Sequence, residues 1–166
     1  MQGNSKEVEY ADLAGIIDGE GAIFITRDLF KTKNPVYRAE IRVGMIDEKP
    51  IKRLHVAFGG TALLEKSYHH KRPMWRWLGS NREVLKFCLT TLLPYLDVKK
   101  EQAKLVLEFN ERFPRRNGHW AIPGQIEEKE RYWIRIRELN GIAMPATTER
   151  TGKRGRRKSV RLEAPV

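Results

Sequence analysis

The chain has 166 residues, 40% hydrophobic and 32% charged, which suits one well-cored domain with a charged surface and leaves little room for two. Its 32 Lys and Arg against 21 Asp and Glu give a net charge of +11, pointing to a polyanionic partner, nucleic acid before anionic membrane. The single cysteine, Cys88, excludes an intrachain disulfide or a thiolate metal cluster; inside "EVLKFCLTTLLPYL" it reads as a small buried hydrophobe.

No charged-then-apolar leader opens the sequence and no apolar run approaches membrane-span length, so the expectation is an intracellular protein. Residues 7 to 18 read as a helix, with Val8, Ala11, Leu13, Ala14, Ile16 and Ile17 leaving little polar surface on any side. Ala11, Gly15 and Gly19 recur every four residues and form one row that would admit another backbone closely. Gly19 and Gly21 are expected to end this helix.

"AIFITRDLF" and "VYRAEIRVGMID" are rich in β-branched and aromatic residues and are separated by the turn chemistry of "KTKNP". The second alternates cleanly, Ala39, Ile41 and Val43 facing one way and Arg38, Glu40 and Arg42 the other. "EKPIKRLHVAFGG" has helical spacing, Pro50 in its first turn and Gly59-Gly60 as a stop. "TALLEKSYHH" and "RPMWRWLGS" read as a second strand pair around residues 70 to 73, with Trp75 and Trp77 on one face and Arg76 on the other.

Asn81 caps a helix that runs up to Pro94, and "DVKKEQAKLVLEFNERF" is another, with a stripe of Ala103, Leu105, Val106 and Phe109. After the linker "PRRNGHWAIPG", residues 125 to 140 make a last amphipathic helix. From Thr147 the composition turns polar and basic, so residues 1 to 146 are expected to be the domain and 147 to 166 a flexible tail. The order α-β-β-α-β-β-α, with a further helix behind, predicts an α+β fold: a four-stranded antiparallel sheet with one face on helices and the other open.

One stretch, "LAGIIDGEG" at Leu13 to Gly21, places two acids at the end of an apolar helix, separated and followed by glycine. It resembles the signature of the LAGLIDADG homing endonucleases, with Ile for Leu, Gly for Ala and Glu for Asp. The element order matches that family over residues 7 to 113. A second echo, "YLDVKKEQAKLVLEFNERFP", is similar to the family's lysine-led helix start.

The resemblance implies a site-specific endonuclease that cuts both strands of double-stranded DNA with Mg²⁺, Mn²⁺ substituting. One copy of the motif implies a homodimer on a long pseudo-palindromic site. Ala11, Ala14, Gly15 and Asp18 would meet their copies at the two-fold axis. Glu20 would be the catalytic acid and metal ligand, the Gly19 carbonyl a second oxygen donor, and Asp18 a structural helix-end residue. Lys99 aligns with the family's basic residue near the scissile phosphate, Lys100 being the counterpart if the alignment slips by one. Many relatives place a glutamine just after the second strand, where this chain reads "GMIDEKP"; Met45 cannot orient water, so Lys49 or Lys52 would serve instead, or water alone would suffice.

In the family the open sheet face enters the major groove. Alternation nominates Thr26, Asp28, Arg38, Glu40 and Arg42, then Lys66, Tyr68 and Arg76, with Glu65 and Ser67 outward instead if the third strand's phase is reversed. His70 and Lys71 lie at the hairpin tip, where the family touches flanking DNA. Six Lys and Arg between Lys153 and Arg161 suit phosphates or intron RNA, or simply solubilise the chain end. A maturase or transcription factor that has lost cutting is the alternative, and a ribosomal RNA-binding protein would explain the charge but not the motif. The compartment would be cytoplasmic in a prokaryote and organellar in a eukaryote.

Overall fold

The computed structural model describes residues 3–28, 34–65, 73–114, 124–142 and 159–161. Helix α1 (Gly3–Glu20) runs without a loop into β1 (Gly21–Asp28), followed by β2 (Val36–Met45), α2 (Glu48–Phe58), β3 (Thr61–Glu65) and β4 (Met74–Gly79). Helices α3 (Arg82–Leu92), α4 (Lys100–Arg112) and α5 (Gln125–Leu139) complete the helical layer. The α+β order is the expected one. Among the described residues no helix is long and apolar enough to cross a membrane.

The local signals explain most boundaries. Asp47 accepts from the Lys49 amide at 3.0 Å and starts α2, and Asn81 accepts from the Glu83 amide at 2.8 Å and starts α3. Gly59 ends α2 at φ 73°, a left-handed conformation that suits glycine. The first helix passes Gly19, one of the two expected stops, and ends at Glu20 immediately before the other, Gly21. The chain turns into β1 at Gly21, where only glycine fits, since a Cβ would lie 2.5 Å from the Ile17 carbonyl oxygen.

The sheet is antiparallel in the order β1-β2-β4-β3, with a short strand β5 (Ser159–Arg161) added on β3. Residues 159 to 161, within the segment expected to be a tail, thus pair with the sheet. The outer edge of β3 offers unpaired backbone N–H and C=O groups, and the Ser-Val-Arg segment pairs with them.

One face of the sheet is closed by helices. Ile23, Ile25, Ala39, Ile41, Val43, Ala62 and Trp77 point into a core completed by Leu13 and Ile17 of α1, Ile51 and Leu54 of α2, Leu85 and Leu89 of α3, and Val106 of α4. Trp77 is wholly buried, and its indole N–H donates to the Gly59 carbonyl at 2.7 Å. Cys88 lies in this core, as its apolar surroundings suggested. At the far edge, α5 is tied to β1 by Asn140, which donates to the Ile23 carbonyl at 2.9 Å.

Candidate functional site

The carboxyl end of α1 is held by the start of α4. The Asp18 carboxylate accepts from the Asp97 and Lys99 amides, each at 2.8 Å, and the Lys99 ammonium donates to the Asp18 carbonyl. A cation there meets the negative end of the helix dipole. Lys99 is therefore fixed one residue from Gly19 and two from Glu20, which are both exposed. Lys100 is the first residue of α4 and shares this end of the molecule.

The registry of the sheet brings a second lysine to the same side. Gly21 pairs with Val43, so the continuation of β2 into Asp47 and α2 runs past the end of α1. Lys49, exposed in the first turn of α2, lies on that continuation. Lys52 pairs with Glu48 at 3.0 Å, and Met45 is half-buried against the core. Among the described residues, no group of three His, Cys, Asp or Glu side chains could hold a metal ion. One chain thus offers Glu20 and backbone oxygens, hard donors suited to Mg²⁺ but fewer than its shell requires.

Two of the residues expected at a two-fold axis are used within the chain. Ala14 is fully buried in the core, because its position on α1 faces the other helices rather than the row of Ala11 and Gly15. Asp18 is occupied by the Asp97 and Lys99 amides just before α4. Ala11, Gly15 and Gly19 are exposed together, and a Cβ built at Gly15 or Gly19 meets nothing within 4 Å. Val8 is exposed on the same helix, so within one chain only part of α1's apolar surface is covered.

The outer face of the sheet carries the expected alternation. Registry sets Thr26 opposite Arg38, Phe24 opposite Glu40 and Ala22 opposite Arg42, with Asp28 at the edge beside Val36. The Thr26 hydroxyl donates to the Arg38 carbonyl at 3.3 Å. Arg42 donates to Glu40 at 2.6 Å, and its guanidinium lies over the Phe24 ring, 4.7 Å from the centroid.

Arg76 on β4 pairs with Glu65 on β3 at 2.7 Å. That contact sets the phase of β3: Leu63 and Glu65 share the outer face, and Ala62 is buried opposite Trp77. Lys66, Tyr68, His70 and Lys71 lie outside the described residues. On the described parts of β1 to β4 this face carries Arg38, Arg42 and Arg76 interleaved with Asp28, Glu40 and Glu65, and the registry adds position 161 of β5 opposite Leu63.

Arg27, which the alternation did not nominate, turns to the covered side. It donates to Glu130 of α5 at 3.0 Å and lies over the Trp133 ring at 5.5 Å. The Tyr37 hydroxyl donates to the same carboxylate; burial and this acceptor push its pKa up to about 12. Phe24 is an outer-face residue that the alternation did not nominate, and Glu65 was nominated only for a reversed third-strand phase. Period-two alternation contained both, but an aromatic in an apolar strand reads as core, and Glu65 stood only in the alternative phase.

No family model matches the chain, and comparison with curated proteins finds no match. Solved structures do match. The homing endonuclease I-CvuI, in complex with a DNA target in the presence of magnesium and with the DNA not cleaved, is 20% identical; the match covers 89% of this chain and 88% of that one, with a TM-score of 0.68. An archaeal intron-encoded homing endonuclease complexed with DNA, 12% identical, also gives 0.68 over 89% of this chain and 91% of its own. This is the LAGLIDADG homing-endonuclease fold. The group I intron-encoded homing endonuclease I-CeuI, also complexed with DNA, matches at 18% identity and a TM-score of 0.59 over 81% of this chain and 68% of its own. At these identities the likeness is one of architecture.

Proposed function

We propose that this chain is a site-specific DNA endonuclease that works as a homodimer. It would make a metal-dependent double-strand break in a long pseudo-palindromic target. The observation that carries this reading is the exposed acid-bearing end of α1, Gly19 and Glu20, clamped beside Lys99 within a fold shared with homing endonucleases solved in complex with DNA.

Glu20 and the Gly19 carbonyl would hold a divalent ion, with the rest of its shell supplied by water, phosphate oxygens and the partner chain's copies. Magnesium, or manganese in its place, would supply Lewis-acid stabilisation at the scissile phosphate. Lys99 meets the charge that develops on that phosphate. Lys49 stands where a polar group is needed in place of the missing glutamine. Ala11 and Gly15 supply the close approach of two α1 helices, and the outer sheet face reads bases in the major groove. The basic tail adds phosphate or intron-RNA contacts, and the protein acts inside the cell that carries its target.

The half-buried Met45, which cannot orient water, favours a second reading: a DNA- or RNA-binding relative without cleavage. The two separate when the protein and Mg²⁺ are incubated with DNA spanning the uninterrupted form of its host locus. One discrete cut, abolished by Glu20→Gln while DNA binding persists, is expected. Binding without any cut selects the second reading, and cutting that survives Glu20→Gln removes Glu20 from the chemistry.

A further inference from the structure

The outer face contains two arginine–glutamate pairs of the same design. Arg42 is held by Glu40 at 2.6 Å and Arg76 by Glu65 at 2.7 Å. In each pair the acid is the sunken member: the Glu40 and Glu65 side chains are 12% and 10% exposed, against 36% and 29% for Arg42 and Arg76. An acid reaching for cytosine would need the opposite arrangement.

The guanidinium is a planar fork with five N–H donors, so one carboxylate contact leaves an edge free while fixing its plane. Arg42 is fixed further by the Phe24 ring beneath it. A long side chain ordered before binding loses less rotamer freedom on contact. If the pairs served only to balance charge, no such burial of the acids would be needed, since exposed ion pairs contribute little.

We infer that Glu40 and Glu65 are positioning residues that present Arg42 and Arg76 as two-pronged readers of guanine; this rests on the outer face being the DNA-reading surface. Glu40 thereby moves from base reader to support. Arg42 lies opposite Leu78, two residues along β4 from Arg76. Such diagonal neighbours stand about 7–8 Å apart, and DNA rises about 3.4 Å per base along a strand, so each half-site should hold two guanines about two base-pair steps apart.

The test is selection of binding sites from a randomised duplex library by the full chain, compared with Glu65→Gln, Arg76→Lys and Glu40→Gln, each checked for folding by circular dichroism. The wild type should enrich the two guanines. Arg76→Lys keeps charge but loses the fork, and Glu65→Gln keeps shape but loses the anchor; both should lower guanine preference about tenfold at one shared position, leaving the other unchanged. Glu40→Gln should act at the second position alone, and it carries the test if the more deeply set Glu65 variant does not fold.

Wild-type enrichment with preferences unmoved by either glutamate variant, or moved at a base different from its arginine's, overturns the positioning role. A wild type that enriches no sequence overturns the DNA-reading surface itself.

Discussion

The Asp18 carboxylate accepts from the Asp97 and Lys99 amides while the Lys99 ammonium returns a hydrogen bond to the Asp18 carbonyl, so one residue pair locks the end of α1 to the start of α4. Asp18→Ala leaves two backbone donors without an acceptor. The expected loss is about 1–2 kcal/mol, measured as a lowered urea midpoint with an unchanged slope. An unchanged midpoint would show that water replaces the carboxylate at no cost.

Lys99→Met tests the other half of the lock. Its backbone bond to Asp18 survives, so stability should change little, while cleavage should fall about 10²-fold with DNA affinity nearly kept. Single-turnover cleavage beside a binding titration separates the two. Undiminished cleavage would transfer the role to Lys100.

Gly15→Leu discriminates between an interface and a merely exposed face. A Cβ at Gly15 meets nothing within the chain, and replacing glycine in a helix favours the folded monomer by up to about 1 kcal/mol. The variant should therefore stay folded, yet sediment as a monomer and lose double-strand cleavage. A folded Gly15→Leu dimer with full activity would place the two-fold contact elsewhere.

Tyr37 makes alkaline stability measurable. Burial first, then the hydrogen bond to Glu130, raise its pKa to about 12 from an unfolded value near 10. The folded chain keeps a proton that the unfolded chain releases, so this contribution is present below about pH 10 and is lost as pH rises through about 12. Tyr37→Phe should be less stable at pH 8 but show a smaller drop in urea midpoint between pH 9 and pH 11.5. Tyr132, also raised to about 12, titrates in both proteins and cancels in the comparison. Parallel pH dependence in the two proteins would remove Tyr37 as the source.

Caps and alternation made most of the fold legible. Asn81, Gly59 and the Ala39–Ile41–Val43 set each act through their immediate neighbours, and those interactions are written in adjacent residues. The end of α1 was legible in part: Gly21 was expected there, but that only glycine fits follows from the nearby Ile17 carbonyl, which no propensity describes. Burial of Ala14 and capture of Asp18 depend on which way α1 turns among its neighbours, a tertiary fact. The pairing of Glu65 with Arg76 needed the β3–β4 registry, which a short apolar strand specifies weakly. Attachment of β5 depends on an open edge far away in sequence.

The acids set among the arginines on the described outer face of β1 to β4 divide labour between attraction and discrimination. Capture of any duplex draws on the chain's net charge of +11, so ionic strength should govern how often the protein captures one and how long it wanders along it. The ranking of one sequence over another should change far less with salt. A cell's ionic conditions would then tune the speed of the search while leaving its destination alone.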